Sequence, residues 1–155
     1  VIINKEFMEM GNTNLPNILK YSEHSKSNSM LNTPPTFSWY LAGKVFKWML
    51  SRGGLDYFEK QNKLKASMLY DFIDNSDFYV NIIDAKSRSI MNVPFILKKP
   101  MYEEKFLSEA SNNGFLNLKG HRSVGGMRAS IYNAMPLEGV KELIKFMDYF
   151  KSKNG

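Results

Sequence analysis

Apolar positions along the chain change their period twice. Val1, Ile2 and Ile3 form a β-branched run that predicts a short strand over residues 1–7. Residues 8–30 are polar, carry Gly11 and Pro16, and read as a long loop. Asn32-Thr33-Pro34-Pro35-Thr36 then forbids regular structure, because each proline fixes its own φ and pushes its predecessor toward extended backbone. Past the prolines, Phe37, Leu41, Val45 and Trp48 recur at helical spacing and predict a helix over 37–52, stopped by Gly53-Gly54 in left-handed backbone. A second helix follows at once. Leu55, Phe58, Met68, Leu69, Phe72 and Ile73 mark one face, Asp56 and Glu59 suit the N-terminal dipole, and Asn75 ends it. At roughly 20 residues it is about 30 Å long, enough to cross between domains. The Met and aromatic residues of these helices read as core.

Beyond Asn75 the period becomes two. Residues 78–83 and 89–97 read as strands, with Pro94 pointing to an edge or a bulge in the second. Pro100, Glu103 and Glu104 start a third helix that Asn112-Asn113-Gly114 ends. A strand over 115–118, a glycine-rich stretch and an alternating run from Met127 to Tyr132 come next. The last helix begins near Pro136 and buries Val140, Leu143, Ile144, Met147 and Phe150. Strand, strand, helix, strand, strand, helix is the order of a small α+β domain with its helices on one face of a sheet.

Composition narrows the function classes. With 155 residues, 43% of them hydrophobic, the chain can bury a core, and no apolar run reaches the roughly 20 residues of a membrane span. Cysteine is absent, which excludes disulfides, thiolate metal sites and a cysteine nucleophile, and fits a cytoplasmic protein. Two histidines without clustered carboxylates give no metal site, and His24 sits in a polar loop with no second ligand near it. The net charge of +6 comes from scattered lysines, none in a run longer than Lys98-Lys99, and reads as a solvated surface rather than a nucleic-acid footprint. A chain opening directly on Val1-Ile2-Ile3 is expected of a piece cut beside a sheet, with residues 1–36 frayed.

Arginine is the scarcer cation and is concentrated where glycine is. Lys119-Gly120-His121-Arg122-Ser123-Val124-Gly125-Gly126-Met127-Arg128 sets two guanidinium forks and an imidazole among glycines that let backbone approach a ligand. This suits a carboxylate or a phosphate. A glycine hairpin with solvated charges is the other reading, and residue types alone leave both open. The glycine spacing matches neither the P-loop nor the dinucleotide fingerprint. Asn32 and Thr33, held before two prolines, offer an amide and a hydroxyl to a phosphate, or else form a plain turn.

These segments, with Trp39-Tyr40, Asp74-Asn75-Ser76-Asp77-Phe78-Tyr79, Met91-Asn92-Val93-Pro94-Phe95, Ala129-Ser130-Ile131-Tyr132-Asn133-Ala134 and Pro136-Leu137-Glu138-Gly139-Val140, resemble the phosphoserine aminotransferases in order and over nearly the whole chain. The resemblance implies the C-terminal part of an α/β, class V, fold-type I enzyme that depends on pyridoxal 5'-phosphate. It implies residues 1–54 as the end of the large cofactor-binding domain, 55–75 as an interdomain helix and 76–155 as a small α+β domain. The family is homodimeric and cytoplasmic, and exchanges an amino group between L-glutamate and 3-phosphohydroxypyruvate, giving 2-oxoglutarate and O-phospho-L-serine for serine, and often pyridoxine, biosynthesis. Carried over by motif, Asn32 and Thr33 bond the cofactor phosphate in the neighbouring subunit's site. Arg128 takes the substrate α-carboxylate, while His121 and Arg122 take its phosphate or distal carboxylate across the dimer. The family's Schiff-base lysine matches no residue here, and Lys44 and Lys47 fall outside that motif, so the chain alone is expected to be inactive. The alternative is a non-catalytic module that binds small anions or dimerises.

Overall fold

The computed structural model describes residues 1–12 and 14–155, so Thr13, within the stretch expected to be a loop, lies outside the described residues. The chain forms two compact units, Val1–Trp48 and Met49–Gly155.

The first unit departs from expectation. Residues 1–7 are not a strand: helix α1 spans Lys5–Glu9, because the Asn4 side chain accepts hydrogen bonds from the Glu6 and Phe7 amides. Val1 and Ile2 are fully exposed, so their β propensity has no sheet to join. The expected loop contains a 3₁₀ turn at Asn17–Leu19 and helix α2 at Tyr21–Lys26. His24 Nε2 lies 2.8 Å from the Ile18 carbonyl oxygen, so this histidine is tied to its own loop. Helix α3, Thr36–Ser51, starts where the proline segment ends and stops one residue short of the predicted end. None of its residues is buried, which corrects the expectation of core. Phe37, Trp39, Tyr40, Leu41, Val45 and Phe46 are between 47% and 72% exposed, on several sides of the helix.

The second unit holds the core. After Gly53 and Gly54, both in positive-φ backbone, helix α4 runs Gly54–Asp74 and ends at Asn75. Strands β1 (Tyr79–Val80), β2 (Asn92–Leu97) and β3 (Met127–Ser130) make an antiparallel sheet in that order. Helices α5 (Glu103–Asn112) and α6 (Leu137–Asn154) complete the unit. Of the four predicted strands, three are shorter than expected, at Tyr79–Val80, Asn92–Leu97 and Met127–Ser130, and one vanishes. Residues 115–118 form none, because Asn117 takes φ +60°, and only Lys119 bridges to Met127. β2 lies in the centre of the sheet, yet Pro94 is tolerated, since β1 ends at Val80 and the Pro94 carbonyl instead accepts from Asn81 Nδ2.

Alternate residues of β2 (Val93, Phe95, Leu97) and β3 (Met127, Ala129) face the core, where α4, α5 and α6 bring Leu69, Ile73, Phe106, Val140, Met147 and Phe150. Phe106 is the hub. Its ring centre lies 5.1 Å from Phe150, 5.3 Å from Phe146, 5.9 Å from Phe95 and 6.1 Å from Tyr79. Phe106→Ala is expected to destabilise by about 3–5 kcal/mol, measured by denaturant unfolding; a loss under about 1 kcal/mol would contradict this packing.

Candidate functional site

The glycine-rich stretch folds into a tight hairpin at the rim of the sheet. Lys119 bridges to Met127, the Gly120 amide donates to the Gly126 carbonyl at 2.8 Å, and the Arg128 amide donates to the Leu118 carbonyl at 2.7 Å. The return is so close that a Cβ on Gly120 would overlap the Gly125 carbonyl oxygen. Gly126, at φ +60°, leaves only 2.7 Å between a built Cβ and both Ile96 Cγ2 and the Phe95 oxygen. Only glycine fits either position.

This hairpin places three of the predicted site residues on one short segment. His121 and Arg122 stand at its tip, exposed, and Arg128 stands on the exposed face of β3, one residue beyond the bridge. The His121 ring is oriented by a neighbour that sequence reasoning did not single out. Its Nδ1 receives the Ser123 amide at 3.3 Å and lies 2.7 Å from Ser123 Oγ. A backbone N–H can only donate, so Nδ1 is an acceptor and Nε2 carries the proton that an incoming anion would meet. The signal was local: a hydroxyl residue two positions after a histidine in a turn.

The electrostatics of the segment favour anions. No Asp or Glu occurs between Glu109 and Glu138, whereas Lys119, Arg122 and Arg128 all do. Arg88, by contrast, is engaged: it forks onto both Asp74 carboxylate oxygens and covers the Tyr70 ring at 4.7 Å. Arg52 reaches the Tyr57 hydroxyl. Among the described residues, the guanidinium groups of Arg122 and Arg128 have no hydrogen-bond or ion-pair partner. Arg128 also lines a cavity of about 460 Å³ with Leu116, Asn117, Ser130, Met135 and Leu143, a lining that includes neither His121 nor Arg122.

Asn32 and Thr33 belong to the first unit. Both are exposed, in the bend leading to Thr36, where the 16-residue α3 begins. An amide and a hydroxyl ahead of a helix N-terminus fit the oxygens of a phosphate. Among the described residues no group of three or more His, Asp or Glu side chains is placed to hold a metal, and no helix is long and apolar enough to cross a membrane.

Comparison with known proteins bears on these segments together. The family model described as aminotransferase class-V matches residues 5–143. A phosphoserine aminotransferase of Acinetobacter baumannii (strain ACICU) is 56% identical over all 155 residues, and one of Buchnera aphidicola subsp. Acyrthosiphon pisum (strain Tuc7) is 54% identical over the same length. The chain spans 43% of the length of each. Among solved structures, the phosphoserine aminotransferase from Bacillus circulans subsp. alkalophilus superposes with a TM-score of 0.90 at 44% identity, over 97% of this chain and 42% of that one. A pyridoxal-phosphate-bound phosphoserine aminotransferase from Trichomonas vaginalis gives 0.80 at 40% identity, over 88% and 39%.

Proposed function

The chain belongs to the class-V aminotransferases, and from that premise we propose that it is the C-terminal part of a phosphoserine transaminase, the part that receives the anionic ends of the substrates. The observation that carries the proposal is a pair of exposed guanidinium groups, Arg122 and Arg128, on one acid-free hairpin without a partner of their own among the described residues. L-Glutamate and 3-phosphohydroxypyruvate share an α-carboxylate and each carry a second anion at the other end, so a common receptor needs two separated cationic groups. Arg128 takes the α-carboxylate. Arg122, with the Nε2 proton of His121, takes the phosphate of one substrate and the distal carboxylate of the other, from the neighbouring subunit of a homodimer.

Asn32 and Thr33 hold the phosphate of pyridoxal 5'-phosphate, which when bound supplies the electron sink for amino transfer. In this reading residues 1–54 finish the large domain, 55–75 link it to the small one, and 76–155 are the small domain, in a cytoplasmic enzyme of serine and pyridoxine biosynthesis. The exposed apolar surface of α3 supports a place within a larger folded body, because a helix apolar on several sides is stable only when covered. The test is an assay of the complete polypeptide with both substrates. Stoichiometric formation of 2-oxoglutarate and O-phospho-L-serine is expected; turnover of unphosphorylated keto acids with equal efficiency would refute the assignment.

A further inference from the structure

One buried charge takes no part in the proposed site. Lys65, on α4, is 1% exposed, and its Nζ donates to the carbonyl oxygens of Ile131 (3.0 Å), Tyr132 (2.7 Å) and Met135 (3.0 Å). All three ammonium protons are thereby used, and among the described residues no carboxylate pairs with it. Burial pushes its pKa below the usual lysine value. A cation in such a place is expensive to keep, and what it holds is the turn that leaves β3.

That turn is held from several directions. The Ile131 amide donates to the Met91 carbonyl at 2.8 Å, and the Met135 amide donates to the Tyr132 carbonyl at 2.9 Å. One helical turn before Lys65, the buried Asn62 donates from Nδ2 to Asn133 Oδ1 at 2.7 Å. At the other end of β3, the Arg128 amide is tied to Leu118. Arg128 therefore sits on a strand fixed by the hairpin on one side and by α4 on the other, with Met127 and Ala129 turned inward. In a strand the direction of each side chain follows from the register, and a slip of one residue turns it to the opposite face.

We propose that Lys65 is a positioning residue for Arg128: its three bonds to the carbonyls of residues 131, 132 and 135 hold the end of β3, and so the point at which the guanidinium meets a substrate carboxylate. The proposal rests on the reading of Arg128 as the α-carboxylate receptor. Asn62 supports the same turn through Asn133. The Ile131-Tyr132-Asn133-Ala134 motif thereby gains a role as the part of the chain that α4 grips.

The experiment uses the complete, cofactor-loaded polypeptide with Lys65→Met, which keeps length and removes the donors, and Asn62→Leu, which removes one donor and a carbonyl oxygen that has no partner among the described residues. Steady-state kinetics with glutamate and 3-phosphohydroxypyruvate are combined with hydrogen exchange of the 128–135 amides. Lys65→Met is expected to raise KM for both substrates about tenfold, with kcat within about threefold of the parent, and to speed exchange at 131–135. Asn62→Leu is expected to raise both KM values about threefold. If Lys65→Met does not fold, the Asn62→Leu kinetics decide. A lowered melting temperature with unchanged KM in every variant that folds overturns the proposal, because that is the signature of a structural role alone. Should Arg128→Ala raise KM while these variants do not, only this inference falls. If Arg128→Ala also leaves KM unchanged, the reading of the site falls with it.

Discussion

Mixed with pyridoxal phosphate, the 155-residue chain is expected to give no visible absorbance band that glutamate removes, while a polypeptide extended upstream to the length of its relatives gives one. Under the proposed function the cofactor would be anchored by a lysine amine that the family resemblance matches to no residue here. Lys44 lies on α3, beside the Tyr40 ring at 5.1 Å, and Lys65 spends its protons on three carbonyls. Surface lysines react with aldehydes weakly, but a glutamate-responsive band needs the amine, the cofactor phosphate site and the substrate arginines in one place. On the proposed reading the expected contrast is all or nothing, because the absorbing adduct needs that amine. A glutamate-responsive band from the short chain would contradict the assignment, as would the failure of the extended one to take up cofactor.

Arg128→Ala in the extended enzyme is expected to lower kcat/KM for glutamate and for 3-phosphohydroxypyruvate together, each by roughly 150-fold. In the proposed assignment both substrates present their α-carboxylate to this guanidinium, so neither would escape its loss. Truncating one side of a hydrogen-bonded charge pair that substrate binding desolvates costs about 3 kcal/mol, which is the quoted factor. In this structure the Arg128 side chain has no partner among the described residues and is exposed. Its removal therefore leaves no buried charge behind, and the melting temperature is expected to stay within about 2 °C of the parent. A large fall in stability, or an effect on one substrate only, would argue against the role.

Much of the architecture was legible because local rules and packing agree. Gly53-Gly54 marked the break between α3 and α4, and both residues take the left-handed backbone that only glycine adopts freely. Gly114 marked the end of α5 for the same reason, whereas Asn75 ends α4 at φ −87° with its side-chain Nδ2 donating to the Asp71 carbonyl. The errors have a common cause. Val1-Ile2-Ile3 has strand propensity but no neighbouring strand among the described residues, so the Asn4 cap decides the local structure. On α3 the periodicity found the helix but not its surroundings: pattern shows which side chains favour burial, not what is present to bury them.

The candidate site was partly legible. Glycines and arginines in close order identified the hairpin, and its register with Lys119 and Met127 followed only from the structure. Lys65 was missed because a charged helix residue reads as solvated by default. Its position offered a clue: the buried stripe Phe58, Asn62, Lys65, Leu69 and Ile73 keeps helical spacing, and its two polar members are the ones that grip the turn after β3.

The direct measurement is the pair of kcat/KM values, one for 3-phosphohydroxypyruvate and one for glutamate, in Arg122→Ala of the complete enzyme. Loss of the tip guanidinium should penalise the phosphorylated substrate most, shifting the ratio of the two values by at least about tenfold, because a phosphate loses more than a carboxylate when a bidentate partner is removed. A ratio unchanged from the parent enzyme would show that the hairpin does not read the second anion.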